Sequence, residues 1–149
     1  MTPAVERILV CVDFSEVTDA VVGYAKTLSA LARAEVRLLH VAAPNPDFVG
    51  FEAGPDVVRN QVAVALREEH RKLEHLAEMF AEANVRATPL MVQGATSDTI
   101  LEQARRYSAN LIVLGSHGHG ALHDLIAGSV AREVLKKSAV PVLVVPAVR

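Results

Sequence analysis

The segment LIVLGSHGHGALHDLIAGSVAREVLKKSAVPVLVVP, Leu111 to Pro146, carries an apolar strand, a glycine-rich loop, an amphipathic helix and a second apolar strand. Leu111-Ile112-Val113-Leu114 is a continuous apolar run, which only a sheet covered on both faces would hide. In open α/β sheets, ligands settle in the crevice outside the carboxyl ends of the strands, and Gly115 to Gly120 falls there. Gly115 and Gly118 lack β-carbons, so the backbone can take positive φ and anionic oxygens can come close to main-chain N–H groups. Nine residues separate Gly118 from Gly128-Ser129, where a helical run through Val130, Val134 and Leu135 begins. The N-terminus of that helix would present unpaired N–H groups and about half a positive charge, and Ser129 adds a hydroxyl. The layout suits a phosphate chain.

Outward from this segment the same alternation continues. Strands are expected at Ile8 to Val12, Val36 to Val41, roughly Arg86 to Val92, and Val142 to Val145. The first helix follows Asp13-Phe14-Ser15, with Ser15 as N-cap and Val17, Val21, Tyr24, Leu28 and Leu31 as its inward stripe. A long helix runs from Val58 to Ala83, ended by Asn84, with Val62, Leu66, Leu73, Leu76 and Phe80 on one face. A third is capped by Ser97 and turns Ile100, Leu101, Ala104 and Tyr107 inward. Ala43 to Pro55 holds three prolines and two glycines and reads as an irregular loop, its Phe48 and Phe51 expected to pack onto their own helix, the alternative being contact with a nucleotide or a partner.

Strands alternating with helices imply a parallel sheet with right-handed crossovers, hence a three-layer, doubly wound α/β fold with five strands. The strand order 3-2-1-4-5 puts Pro89, which cannot donate to a ladder, in an edge strand. It also sets strands one and four side by side at the switch point, so that Asp13 and the glycine loop face one crevice. Strand five becomes the other edge. Its uncharged run Pro141 to Val145 is expected to be covered, most simply by a second copy, the alternative being a shield made by the tail from Ala147 to Arg149.

The 149 residues make one domain, with 51% hydrophobic and 21% charged residues and no apolar run long enough for a membrane span. Fifteen basic against seventeen acidic residues, with no basic block, argue against nucleic acid as a partner. The opening MTPAVER lacks the pattern of a secretory signal, which predicts a cytoplasmic protein. Cys11, the single cysteine, can form no internal disulfide and reads as an inert residue of the first strand.

Gly115, Gly118, Gly128 and Ser129 match the pattern G-x2-G-x9-G-[ST], and Asp13-Phe14-Ser15 follows the first strand. In these motifs, and over essentially its whole length, the chain resembles the ATP-binding branch of the universal stress protein family. The resemblance implies an adenine-nucleotide α-hydrolase-like fold with the same strand order, ATP with Mg²⁺ as ligand, and a homodimer through Val142 to Val145. It also implies that Asp13 contacts the nucleoside and that the main chain of Val41 pairs with adenine. The expected ligand contacts are therefore Asp13, Val41, Gly115, His117, Gly118, His119, Gly128, Ser129 and Val130. Family members often carry Arg or Lys where His119 stands, so phosphate affinity is expected to be weaker and pH-sensitive here.

His117, His119 and His123 are spaced too loosely to be read as metal ligands. The chain has no G-x4-G-K-[ST] loop, no dinucleotide fingerprint, no SGGxDS-like loop after the first strand and no nucleophile elbow. No catalytic residue is assigned. The expected role is a nucleotide-dependent sensor or regulator in stress adaptation, acting on an unknown regulatory protein partner, with slow hydrolysis or none. The alternatives are a slow ATP-hydrolysing enzyme and an interaction module that uses no nucleotide.

Overall fold

Strands and helices alternate along the residues described by this computed structural model, 2–42, 55–116 and 128–147. They are β1 (Arg7–Cys11), α1 (Thr18–Ala32), β2 (Glu35–Ala42), α2 (Pro55–Ala81), β3 (Ala87–Gln93), α3 (Thr96–Tyr107), β4 (Leu111–Gly115), α4 (Ser129–Lys137) and β5 (Val142–Val145). All strand pairs are parallel, in the order β3-β2-β1-β4-β5. The expected sheet and switch point are therefore present.

Alternation along each strand feeds two separate cores. Ile8, Val10, Leu38 and Val113 point to the α1/α2 layer, where they meet Val21, Val22, Leu73 and Phe80. Leu9, Leu39, Ile112 and Leu114 point to the α3/α4 layer, where Ile100, Ala104, Ala131 and Val134 receive them. This explains why the strands read as unbroken apolar runs: both faces are covered. Each fully buried Leu, Ile or Phe contributes about 1.5–3 kcal/mol.

The first helix differs from its expected orientation. Its buried residues are Thr18, Val21, Val22, Ala25 and Ser29, while Tyr24 and Leu31 are 59% and 79% exposed. The stripe from Val17 to Leu31 repeats every seven residues and drifts around a straight helix, whereas the observed face follows the true helical period with small residues that sit close to the sheet. Ser29 hides its hydroxyl on the Ala25 carbonyl at 2.7 Å. Neither expected serine cap is made. Val17 occupies the N-cap of α1 and Ala95 that of α3, both without a side-chain cap, and Ser97 lies inside the first turn of α3. Asn84 does terminate the α2 region, in the left-handed conformation with φ 57°. Ala83 lies beyond α2, which ends at Ala81, and the loop ahead of Pro55 with Phe48 and Phe51 lies outside the described residues.

Candidate functional site

At the carboxyl end of the sheet, the last residue of β4 touches the start of α1. The contact explains Gly115. A β-carbon built there would lie 2.5 Å from Val17 Cγ1, so the end of β4 can pack on the start of α1 only without a side chain. Close approach of protein to protein, rather than a positive φ, is what requires this glycine.

The β1–α1 turn is built from side chains. Val12 N–H donates to the Leu39 carbonyl at 2.9 Å, after which the chain leaves the sheet. Asp13 Oδ1 then accepts the Ser15 N–H at 3.0 Å, a turn that fixes the carboxylate and leaves its second oxygen uncommitted among the described residues. Phe14 sits at φ 61°, a conformation costly for a bulky residue and tolerated where the surroundings impose it. The imposing contacts are visible. Its ring lies 4.5 Å from that of His40, tilted by 43°, with Lys72 Nζ 5.7 Å from the Phe14 ring centre. Ser15 contributes its carbonyl to the Thr18 N–H at 3.1 Å, while its buried hydroxyl has no partner among the described residues.

His40 escaped the sequence reading. It is 7% exposed, its Nδ1 donates to the Val12 carbonyl at 2.8 Å, and its Nε2 lies 3.3 Å from Glu69 Oε2 on α2. The available signal was one polar residue between Leu39 and Val41 in an otherwise apolar strand core. Val41 itself is half-buried at the carboxyl end of β2, in register with Val92 of β3.

The described flanks of the β4–α4 connection are tied to each other through backbone groups. Gly115 pairs with Val145, and the next residue, Ser116, is 3% exposed. Ser116 N–H donates to the Val145 carbonyl at 2.8 Å, its carbonyl accepts the Gly128 N–H at 2.5 Å, and its Oγ accepts the Ala147 N–H at 3.3 Å. Both ends of the intervening segment are thus pinned at one residue. Gly128 is the N-cap of α4 in an extended conformation, Ser129 begins the helix exposed, and Val130 is half-buried. The first turn of α4 contains no acidic residue, in contrast to Asp19 in α1 and Asp98 in α3, while Lys136 and Lys137 fill its last turn. Among the described residues of that first turn no acidic side chain stands at the positive end of the helix dipole, where an anion is favoured.

Asp13, Val41, Gly115, Gly128, Ser129 and Val130 are all placed at this end of the sheet. His117, Gly118 and His119 lie outside the described residues, as does His123. Among the described residues, no group of three or more His, Cys, Asp or Glu is placed to hold a metal ion. Burial pushes the Cys11 thiol up to about 12, which disfavours the reactive thiolate.

The model of the universal stress protein family matches residues 4–146. The chain belongs to that family. The universal stress protein MJ0577 of Methanocaldococcus jannaschii is 28% identical, with 97% of each chain covered, and its solved structure superposes with a TM-score of 0.83 over 99% of each chain. YxiE, a universal stress protein of Bacillus subtilis, is 31% identical over 93% of this chain and 97% of its own. A universal stress protein solved in complex with cAMP shares the fold, with a TM-score of 0.70, 22% identity, and 98% of this chain and all of the other covered. No helix among the described residues is long and apolar enough to cross a membrane.

Proposed function

We propose that this chain binds ATP, with Mg²⁺, across the carboxyl ends of β1, β2 and β4, and acts as a nucleotide-dependent regulator in stress adaptation with slow hydrolysis or none. The observation that carries the reading is the start of α4. Its first turn holds no acidic residue, its N-cap is held at the end of β4 by the Ser116–Gly128 bond, and β4 packs through Gly115 on Val17, at the end of the turn that carries Asp13. The N–H groups and hydroxyl at Ser129 and Val130 take phosphate oxygens, with Gly118, His117 and His119 supplied by the loop. Asp13 accepts from the ribose, and the Val41 main chain meets adenine. A family member of the same fold holds cAMP, an adenine nucleotide, which agrees with this assignment.

The chemistry of the donor set suits binding better than turnover. Asp13 is committed through one oxygen to the Ser15 N–H, and the titratable residue in α4's first turn, Arg132, is a permanent cation that can attract phosphate but cannot act as a base. Two copies joined through β5 make the functional unit in this reading, reporting occupancy to a protein partner in the cytoplasm. The test is a titration of ATP with Mg²⁺ into the wild-type chain and a Gly128→Glu variant, with sedimentation to read the mass. Micromolar binding by the wild type, lost in the variant, is expected. Equal binding by both would remove the phosphate grip, and a monomer at tens of micromolar would remove the dimer.

A further inference from the structure

Parallel strands exchange hydrogen bonds in a fixed rhythm: each residue of one strand that faces its neighbour accepts from one partner residue and donates to another two positions away. Between β1 and β2 the rhythm runs through Cys11 opposite Leu39, and the Leu39 carbonyl accepts the Val12 N–H at 2.9 Å. Leu39 therefore turns its backbone groups toward β1. Since direction alternates along a strand, Val41 faces the same side, and Ala42 faces β3, where its carbonyl accepts the Gly94 N–H at 3.1 Å. The next rung of the β1–β2 ladder would be the Val41 N–H on the Val12 carbonyl. Among the described residues that rung is not made. The Val12 carbonyl is taken instead by His40 Nδ1 at 2.8 Å.

We infer that His40 is a positioning residue that ends the β1–β2 ladder one rung early, and so keeps the Val41 main chain open for the hydrogen-bonding edge of adenine. The inference rests on the nucleotide reading above and names what prepares its base subsite. A side chain between Leu39 and Val41 on β2 satisfies the last carbonyl of β1, so that carbonyl needs no donor from Val41. The imidazole is held for this task from three sides. Glu69 lies 3.3 Å from Nε2, the Phe14 ring packs on it at 4.5 Å, and the strand fixes its Cα. Phe14 is itself held in its left-handed conformation between Asp13 and Ser15, so one cluster sets both the opened edge at Val41 and the carboxylate at Asp13.

Three variants and two ligands test it. His40→Leu removes the donor, so the Val41 N–H closes the rung, and ATP affinity falls about tenfold, the worth of a hydrogen bond lost to a buried edge. His40→Asn keeps a donor nitrogen near the place of Nδ1 and is expected to stay within about twofold of wild type. His40→Gln extends past the Val12 carbonyl toward Glu69 and is expected to behave like the leucine variant. Mg²⁺ with inorganic tripolyphosphate, which has no base, is expected to bind wild type and all three variants alike. Hydrogen exchange of the Val41 amide gives a readout without ligand: fast in wild type and His40→Asn, slow in His40→Leu.

A protected Val41 amide in the wild type overturns the inference. So does ATP affinity unchanged by His40→Leu, or an equal loss in His40→Leu and His40→Asn. Loss of tripolyphosphate binding in His40→Leu also overturns it, because the residue would then be merely structural. Absence of ATP binding by the wild type overturns the nucleotide reading itself, whatever the exchange data show.

Discussion

The β1–α1 turn and the residues that flank the β4–α4 connection are built on opposite plans. The β1–α1 turn works through side chains: Asp13 folds back on Ser15, Phe14 is held at positive φ by His40, and Glu69 and Lys72 reach in from α2. The described flanks of the β4–α4 connection work with the smallest residues. Gly115 makes room for Val17, Gly128 is the helix cap, and the main chain of Ser116 bonds Val145 and Gly128. The difference matches what each end of a nucleotide demands. A base and a ribose have fixed edges and are discriminated by few, well-aimed groups, whereas a phosphate chain asks for many N–H donors and close approach.

The comparison can be broken, and the largest effect belongs to the backbone end. Gly128→Glu places a like charge beside the phosphates and is expected to weaken ATP binding about a hundredfold by calorimetry, tripolyphosphate falling with it. Gly115→Ala drives a methyl into Val17 and is expected to cost about 2 kcal/mol of stability in denaturant titration, because overpacking a fixed contact forces the neighbours to move. If that variant is as stable as wild type, the two turns are not in tight contact. Asp13→Asn keeps an oxygen for the Ser15 N–H and removes the charge. About a tenfold loss for ATP with no change for tripolyphosphate would sharpen the division between base end and phosphate end. Equal losses for both ligands would erase it.

The smallest effect is a control from the opposite end of the sheet. Tyr107 is raised from 10.0 to about 12, chiefly by burial and then by the charge and hydrogen bond of Glu35, and Arg37 stacks on its ring at 4.2 Å. A phenol that ionises at higher pH when folded stabilises the fold fully below pH 10, and that contribution is lost as pH rises from 10 toward 12. Tyr107→Phe is expected to flatten the alkaline limb of a stability–pH curve without altering ATP affinity at neutral pH. A shift in ATP affinity would mean that the two ends of the sheet communicate.

The backbone plan was also the more legible one in the sequence. Strands such as LIVL and VLVV, covered on both faces, announce themselves, which is why the sheet order could be read directly. The side-chain plan was half legible. Asp13 stood out as a carboxylate ending an apolar run, but His40 lies between Leu39 and Val41 and gains its meaning only from the carbonyl of a residue 28 positions away. Tyr24 and Leu31 misled because a large apolar residue on a helix is assumed to face inward, while α1 approaches the sheet closely through Val22, Ala25 and Ser29. Ser15 and Ser97 misled as caps because the backbone began each helix without help from either hydroxyl.

Pro89 has a consequence for how copies of this chain can add up. It stands within β3, at one margin of the sheet, while β5 forms the other margin with the run Val142–Val145. A row interrupted by a residue without an N–H is a poor template for a further strand. If two copies were to meet through β5, the margins left outside would be the ones that carry Pro89, and association by strand addition would stop at two.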